Sequence, residues 1–359
     1  MRILVINRVP LGRATDTFKL CEHASVNHEI HHLGFDSSGE SAAGLPRVVV
    51  HTVPWRGFFG VRYWRWIRAC ISQISQGYDR VYVYYFPTCA QLRLLFPRTT
   101  LILDIRTGSV ASSQVRRLVS NLGLMIEARF FDHVNIVSEG LRSKLHLPGA
   151  RILPLGADPL PIARKSFRNL HLLYVGTLSG RRIHETLEGF AAFHRETSKD
   201  LDLRYTIVGS GFDREEDELR RLAKSLGVAE CVEIAGYVPH SSLLPYFERA
   251  NVGISYVPIT SSYDHQPPTK TFEYLMAGMP VIATNTTENR RIVGDSTGML
   301  IADSAEGFHL GLRGFEARRQ EFDSDTVRAS VAGDAWKELV TKYALPFIER
   351  PTFRSEDLA

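Results

Sequence analysis

A polar stretch before an apolar strand contains the side chains best suited to chemistry. The proline pair at 267–268 keeps the chain extended, after which Thr269 is predicted to cap a helix that ends at Gly278. A helix start presents unpaired N–H groups and a positive dipole end, and Lys270 adds a full positive charge there. Glu273, one turn further, can accept hydrogen bonds from two hydroxyls. The pattern favours a site for a phosphate beside a diol, as in a nucleotide; an ordinary capped helix packed on a strand is the alternative.

The elements that must position these residues are typical of two α/β domains. A chain of 359 residues is too long for one ordinary core. Short apolar runs alternate with helical segments along it, as parallel βα units require. The predicted strands cover 2–6, 28–34, 47–51, 81–86, 101–105, 134–138 and 151–155, and further strands begin at His171, Tyr205, Val232 and Pro280.

Composition excludes several classes of protein. A net charge of +4 lacks the strong, patterned excess that nucleic-acid binding requires. No run reaches the roughly 18–20 apolar residues of a spanning helix, and the first residues lack a signal-peptide pattern. The four cysteines are scattered without metal spacing, and His28, His31 and His32 have no acidic or cysteine partner at ligand spacing. We therefore expect a cytoplasmic protein with reduced thiols, no bound metal and no nucleic-acid partner.

The segment 55–68, WRGFFGVRYWRWIR, alternates aromatic residues with arginines and contains no acid. This composition suits the bilayer interface, where aromatic rings lie at headgroup level and arginines are attracted to anionic lipid. It therefore predicts contact with a membrane surface through Trp55 to Arg68. Two alternatives stay open: a helix that buries its rings in the core while the arginines face water, and an aromatic surface for single-stranded nucleic acid.

The stretch from Tyr263 to Thr284, YDHQPPTKTFEYLMAGMPVIAT, resembles the signature of the glycosyl transferases group 1, or family 4, which are retaining enzymes of GT-B architecture. That family has two glutamates, then a small-residue helix end and G-x-P-V. Glu273 matches the second glutamate, and AGMPVIAT matches the helix end and the strand after it. The first glutamate falls on His265, beside Asp264. Either His265 or Asp264 takes over its role at the sugar, or the donor sugar differs from the usual one.

The resemblance implies a donor site in the second domain, with Glu273 on the ribose hydroxyls and the helix start on the phosphates. The family's basic residue that binds the donor diphosphate would be Arg181 or Arg182. A further basic residue, which directly follows the glycine in the family, is Thr177 in this chain. The implied donor-binding residues are Gly176, Thr177, Gly209, Gly211, Tyr237, Val238, Thr269, Lys270, Thr271 and Glu273. The implied catalytic residues are Arg181, Arg182, Lys270, His265 and Asp264.

The resemblance also places the acceptor on the first domain. The family's first loop carries a Gly-Gly pair, of which this chain has only Gly12, next to Arg13. The turn after the strand 101–105 adds Asp104 and Arg106 as acceptor or sugar contacts, with a structural Asp–Arg pair as the alternative.

The implied fold is two facing, doubly wound Rossmann-like domains, 1–163 and 164–335. A helix within 336–359 would cross back onto the first domain and dock through Trp336 and Tyr343.

The implied activity is metal-independent, cofactor-free hexosyl transfer with retention. A UDP- or GDP-sugar would be the donor, and a lipid-linked or surface-polysaccharide intermediate, such as a lipopolysaccharide precursor, the acceptor at the cytoplasmic membrane face. Two other functions stay open. A catalytically silent relative could bind nucleotide sugar as a scaffold, since the first glutamate and the Gly-Gly pair are missing. A sugar-nucleotide epimerase of similar architecture would need no acceptor.

Overall fold

A computed structural model describes residues 1–36, 45–111 and 113–351. The chain divides into two compact units, one formed by Met1–Leu155 with the segment from Trp336 onward, and one formed by Gly156–Ala335. The segment 156–163 lies with the second unit, so the predicted boundary after residue 163 falls inside that unit. Two contacts hold the segment there: Ala157 N–H donates to the Asp334 carbonyl over 3.1 Å, and Arg328 donates to the Ile162 carbonyl over 2.7 Å.

The described residues of the first unit form a seven-stranded parallel sheet in the order β3-β2-β1-β4-β5-β6-β7. Its strands are β1 Arg2–Ile6, β2 Glu29–Asp36, β3 Val48–Pro54, β4 Arg80–Tyr84, β5 Leu101–Ile105, β6 His133–Ile136 and β7 Arg151–Ile152. Every residue of β5 is buried, which explains its continuous apolar run, since helices cover both faces of a parallel sheet.

Helices alternate with these strands, as the sequence predicts. They are α1 Thr15–Ala24, α2 Phe59–Ile74, α3 Ala90–Leu95, α4 Gln114–Ala128 and α5 Glu139–Lys144. The Ser138 hydroxyl caps α5 by accepting from Leu141 N–H over 3.1 Å.

The described residues of the second unit form a six-stranded parallel sheet in the order β10-β9-β8-β11-β12-β13. Its strands are β8 Leu170–Val175, β9 Leu203–Val208, β10 Val232–Gly236, β11 Val252–Ser255, β12 Val281–Thr284 and β13 Gly298–Ile301. Its α-helices are α6 Ile183–Glu196, α7 Glu215–Ser225, α8 Leu244–Arg249, α9 Thr269–Met276, α10 Asn289–Ile292, α11 Ala305–Arg318 and α12 Ser324–Ala329. The strand order reverses between β8 and β11, the place where open α/β sheets bind ligands.

The C-terminal helical segment packs on the first unit, as the resemblance implies. It runs through α13 Trp336–Leu339, a π-helical turn Val340–Ala344 and α14 Leu345–Glu349, and contacts α1. Trp336 is buried and Tyr343 packs partly buried against the core. Pro346 explains the π-helical turn, because its ring cannot fit against the carbonyl one regular turn earlier. Within the described residues, no helix combines the length and the apolar character needed to cross a membrane.

Candidate functional site

Two glycines bring the backbone together where β8 and β9 end. Gly176 has φ 147° and Gly209 has φ 152°. A Cβ on Gly209 would lie 1.8 Å from the Gly176 carbonyl oxygen, so a larger residue cannot occupy this position. Gly176 also lies next to the start of α9, since a Cβ on Gly176 would lie 3.4 Å from Lys270 Nζ.

Helix α9 is fixed against β8 by Tyr274, whose hydroxyl accepts from Val175 N–H over 2.7 Å. The predicted helix is confirmed, but the prediction that Thr269 caps it is wrong. Thr269 is the first helical residue, and Pro268 occupies the cap position with φ −81° and ψ 118° and no side-chain cap bond. The start of α9 therefore lacks a side-chain acceptor at its cap, and the backbone N–H groups at this end of the helix can bind an anion.

Lys270 projects from this helix start toward β8. Its ammonium lies 3.9 Å from the Tyr174 ring centroid, and Nζ is buried without a hydrogen-bond partner among the described residues. Burial, and then the charge of Arg181, hold the pKa of Lys270 well below its usual range, while Glu273 acts in the opposite direction. An ammonium buried in this way is costly unless an anion binds beside it.

Arg181 supplies a second cationic group to the same region. Its guanidinium lies 4.0 Å from the Tyr263 ring centroid, and its buried Nη1 has no hydrogen-bond partner in the described part of the chain. The charge of Arg181 also lowers the pKa of Lys270, so the two groups repel each other. Two repelling cations with unused donors favour an anionic ligand between or beside them.

Arg182 differs from its neighbour in having its charge neutralised within the protein. It has a left-handed backbone at φ 53°, and its Nη2 lies 2.9 Å from a Glu185 carboxylate oxygen and 3.2 Å from an Asp303 oxygen. Arg182 also donates to the Asp303 carbonyl, and Tyr256 donates to Glu185. The network links α6 to the loop before α11, so the Arg182 side chain is used within the protein, and a catalytic role for Arg182 stays a prediction.

Glu273 keeps a carboxylate available one turn into α9. Its side chain is 18% exposed, and His240 Nε2 lies 3.5 Å from its Oε1. Tyr237 is exposed and Val238 partly exposed in the loop after β10, at the same edge of the sheet. The sequence interpretation did not single out His240, Tyr174 or Tyr263.

Asp264 and His265 occupy the place of the family's first glutamate. The Asp264 carboxylate accepts from the Thr287 N–H and hydroxyl, both over 2.8 Å, and His265 Nε2 lies 3.6 Å from Asp264 Oδ2. Partial burial alone would raise the pKa of Asp264, but the bonds from Thr287, together with the charges of His265 and Arg290, lower the pKa overall. Asp264 is thus an ionised anchor of its loop, and a catalytic role for either residue stays a prediction.

The other predicted donor-site residues differ in accessibility. Thr271 is buried, and its hydroxyl bonds to Ser255 over 2.7 Å and to Asn289 over 3.1 Å. Its side chain is therefore used within the protein. Thr177 is exposed, and its carbonyl accepts from Tyr174 over 2.6 Å. The three atoms nearest to a Cβ on Gly211 would belong to the Glu215 side chain, at 2.1 to 2.9 Å.

The predicted acceptor residues comprise two exposed residues and one largely buried ion pair. Gly12, at φ 95°, and Arg13 are exposed in the loop after β1. Asp104 is fully buried, where its Oδ2 accepts from Arg106 over 2.8 Å and from Tyr82 over 2.9 Å. Burial raises the pKa of Asp104 to about 6, although Arg106 opposes the shift. This geometry is that of the structural Asp–Arg pair, the second of the two sequence interpretations.

The aromatic segment 55–68 is divided between core and surface. Trp66 is 1% exposed and packs on Phe35 and Phe86, with ring centroids 4.6 and 5.7 Å away. By contrast, Phe59 and Trp64 are 68% and 58% exposed. The core interpretation therefore holds for Trp66, whereas membrane contact through the exposed rings stays a prediction.

Over residues 1–36, 45–111 and 113–351, no group of three His, Cys, Asp or Glu side chains is arranged to hold a metal ion. His31 instead bonds to His51 over 2.9 Å and to Glu29 over 2.8 Å.

Two parallel-sheet α/β units of this kind define the GT-B architecture, and solved structures share it. Sucrose-phosphate synthase from Thermosynechococcus elongatus superposes with a TM-score of 0.77 at 16% identity, over 97% of this chain and 98% of that one. The Anabaena Alr3699/HepE structure in complex with UDP and glucose superposes with a TM-score of 0.73 at 14% identity, over 97% and 99%.

Sequence comparison points to the same class of protein. Residues 169–313 match the family model for glycosyl transferases group 1. A curated relative, D-inositol 3-phosphate glycosyltransferase of Pseudarthrobacter chlorophenolicus, is 27% identical over 206 residues, which are 55% of this chain and 45% of the relative. The chain thus matches somewhat under half of that relative's length.

Proposed function

We propose that the chain is a glycosyltransferase that binds a nucleotide sugar on its second unit and transfers the sugar to a glycan acceptor. The observation that carries the proposal is the convergence of Lys270 and Arg181 at the switch point of a parallel sheet, each with a buried nitrogen that has no hydrogen-bond partner among the described residues. The match of residues 169–313 to the family model for glycosyl transferases group 1 supports the same assignment.

In this proposal the donor diphosphate lies against the start of α9. Lys270 and Arg181 bind its oxygens together with backbone N–H groups near Thr269. Glu273 accepts hydrogen bonds from the ribose hydroxyls, since its carboxylate is accessible on the next turn. Tyr237 and Val238 line the base, and Gly176 and Gly209 let the backbone approach the ligand.

The same cations would act in catalysis. When the bond to the sugar breaks, negative charge grows on the diphosphate, and fixed positive groups in a low-dielectric site stabilise that charge. Arg181 is suited to this role because its planar guanidinium can bind two phosphate oxygens at once. Retention at the anomeric carbon, metal independence and the part played by His265 rest on the family resemblance.

The acceptor side of the proposal rests on the first unit. We propose a lipid-linked or surface-polysaccharide intermediate at the cytoplasmic membrane face, because exposed rings such as Phe59 and Trp64 stand among arginines. Gly12 and Arg13 are the accessible candidates for acceptor contact.

Labelled-sugar transfer tests the function. The purified chain should raise its melting temperature with one class of UDP- or GDP-sugar and then transfer that sugar to a glycolipid extract. Binding without transfer or hydrolysis would indicate the catalytically silent relative. Interconversion of donors without acceptor would indicate the epimerase. No binding of any nucleotide sugar would overturn the proposal.

A further inference from the structure

Helix α4 of the first unit is apolar on two opposite sides. Leu124 and Ala128 are buried on the side that packs on the unit. On the other side a stripe of large apolar residues at helical spacing is exposed to between 49% and 71%: Val115, Leu118, Val119, Leu122 and Ile126. A surface helix of a soluble domain normally has a polar outer face, so this stripe requires a second apolar environment.

The stripe continues onto neighbouring helices of the same unit. Right-handed connections place α2, α3 and α4 on one face of the sheet, because β4, β5 and β6 follow β3 in one direction. Glu127 of α4 accepts from Thr88 and Ala90 N–H at the start of α3 over 2.8 and 3.1 Å. Gln91 of α3 donates to Tyr63 of α2 over 2.6 Å.

These linked helices expose further apolar side chains. Leu94 and Leu95 of α3 are 63% and 55% exposed, in addition to Phe59 and Trp64 of α2. We call the outer side of the three helices the α2–α3–α4 surface. Most of the exposed large apolar side chains in the described chain lie between residues 58 and 130, on or beside this surface.

The charges of the surface determine what can cover it. Neither α2 nor α3 contains an acidic residue, and the single acid of α4, Glu127, is used by backbone N–H groups. Arginines remain, among them Arg65 and Arg68 on α2 and Arg116 on α4, all exposed. A second copy of the chain would bring like charges face to face, whereas anionic lipid headgroups complement them.

We propose that the α2–α3–α4 surface docks on an anionic lipid bilayer, with the α4 stripe inserted at the interface. The proposal deepens the proposed function, on whose lipid-linked acceptor it rests, and extends the contact well beyond the aromatic segment 55–68. Binding then combines burial of apolar side chains with attraction between arginines and lipid headgroups, and salt should weaken the second contribution.

Vesicle flotation tests the proposal with the full chain. The protein should float with vesicles of phosphatidylcholine and phosphatidylglycerol and much less with phosphatidylcholine alone. The double variant Leu118→Asn, Leu122→Asn should lower the bound fraction about tenfold or more. Leu310→Asn, at a 53% exposed leucine on α11 of the second unit, is the matched control and should bind as the wild type does.

Fluorescence gives an independent readout. Of the four tryptophans, all within the described residues, Trp64 is the exposed one. Its emission should shift to the blue on addition of anionic vesicles, and Trp64→Phe should remove that shift.

Three outcomes would overturn the proposal. The wild type could fail to bind anionic vesicles, the double variant could bind as well as the wild type, or the wild type could sediment as a dimer that the double variant breaks. The last result would make the surface an interface between two copies.

A thermal-shift assay with nucleotide distinguishes this proposal from the proposed function. Vesicle binding without nucleotide binding would overturn only the proposed function. Nucleotide binding without vesicle binding would overturn only the docking surface.

Discussion

Replacing Lys270 with methionine is expected to stabilise the second unit while weakening nucleotide binding. The wild-type ammonium is buried against Tyr174 without a hydrogen-bond partner in the described chain, and its pKa is held well below its usual range. A buried polar group without a partner costs about 1–3 kcal/mol. Methionine has a similar length, keeps the contact with the ring through its thioether and removes the charge.

The expected changes in melting temperature and nucleotide affinity can be estimated from free energies of this kind. For a domain of this size about 1 kcal/mol corresponds to 2–4 °C, so the melting temperature should rise by roughly 2–12 °C. Loss of a charged hydrogen bond of about 1.5–3 kcal/mol to the diphosphate should weaken UDP or GDP binding roughly 10- to 150-fold.

The stability gain should depend on pH in a defined direction. The pKa of Lys270 in the folded chain is lowered from the ordinary 10.5. Between the lowered and the ordinary pKa, the unfolded chain binds a proton that the folded chain does not, so wild-type stability rises with pH. The advantage of the methionine variant should therefore shrink as pH approaches 10.5.

Scanning fluorimetry and nucleotide titration from pH 6 upward measure both effects. Lys224→Met, at an exposed lysine of α7, is the control and should change neither quantity. A destabilised Lys270→Met variant, or one with wild-type nucleotide affinity, would refute the reasoning.

Three further predictions concern other residues. Arg181→Ala should lower kcat by about 10²-fold or more with little change in melting temperature, whereas Arg182→Ala should mainly destabilise the fold by breaking its contacts with α6 and the loop before α11; equal kinetic losses would contradict the assignment. Glu273→Ala should raise the donor KM roughly 30- to 150-fold, equivalent to about 2–3 kcal/mol, and the variant should no longer distinguish UDP from 2′,3′-dideoxy-UDP; retained discrimination would place the ribose elsewhere. Trp66→Ala should cost about 3–5 kcal/mol of stability in denaturant titration because the ring is buried, while Trp64→Ala should cost almost none; similar losses would show that the two rings share one environment.

The sequence was informative where the determinants are local. Apolar runs of parallel-strand length predict the strands, and β5 matches its predicted limits at 101–105. The prolines, Gly278 and the pattern between them predict helix α9 within the stretch that carries the family resemblance. The cap was misassigned to Thr269, because an extended Pro268 occupies the cap position while threonine is the more common capping residue.

Pairing and exposure, by contrast, depend on residues far apart in the chain. The sequence could not separate Arg181 from Arg182, since the partner Asp303 lies 121 residues away from Arg182. Likewise, two tryptophans of the same helix differ, since Trp66 is buried and Trp64 is exposed. The outer apolar stripe of α4 can be recognised only when the sheet beneath the helix is known. Helical periodicity shows that a side is apolar, but whether that side meets core or solvent is decided by the neighbours that tertiary packing supplies.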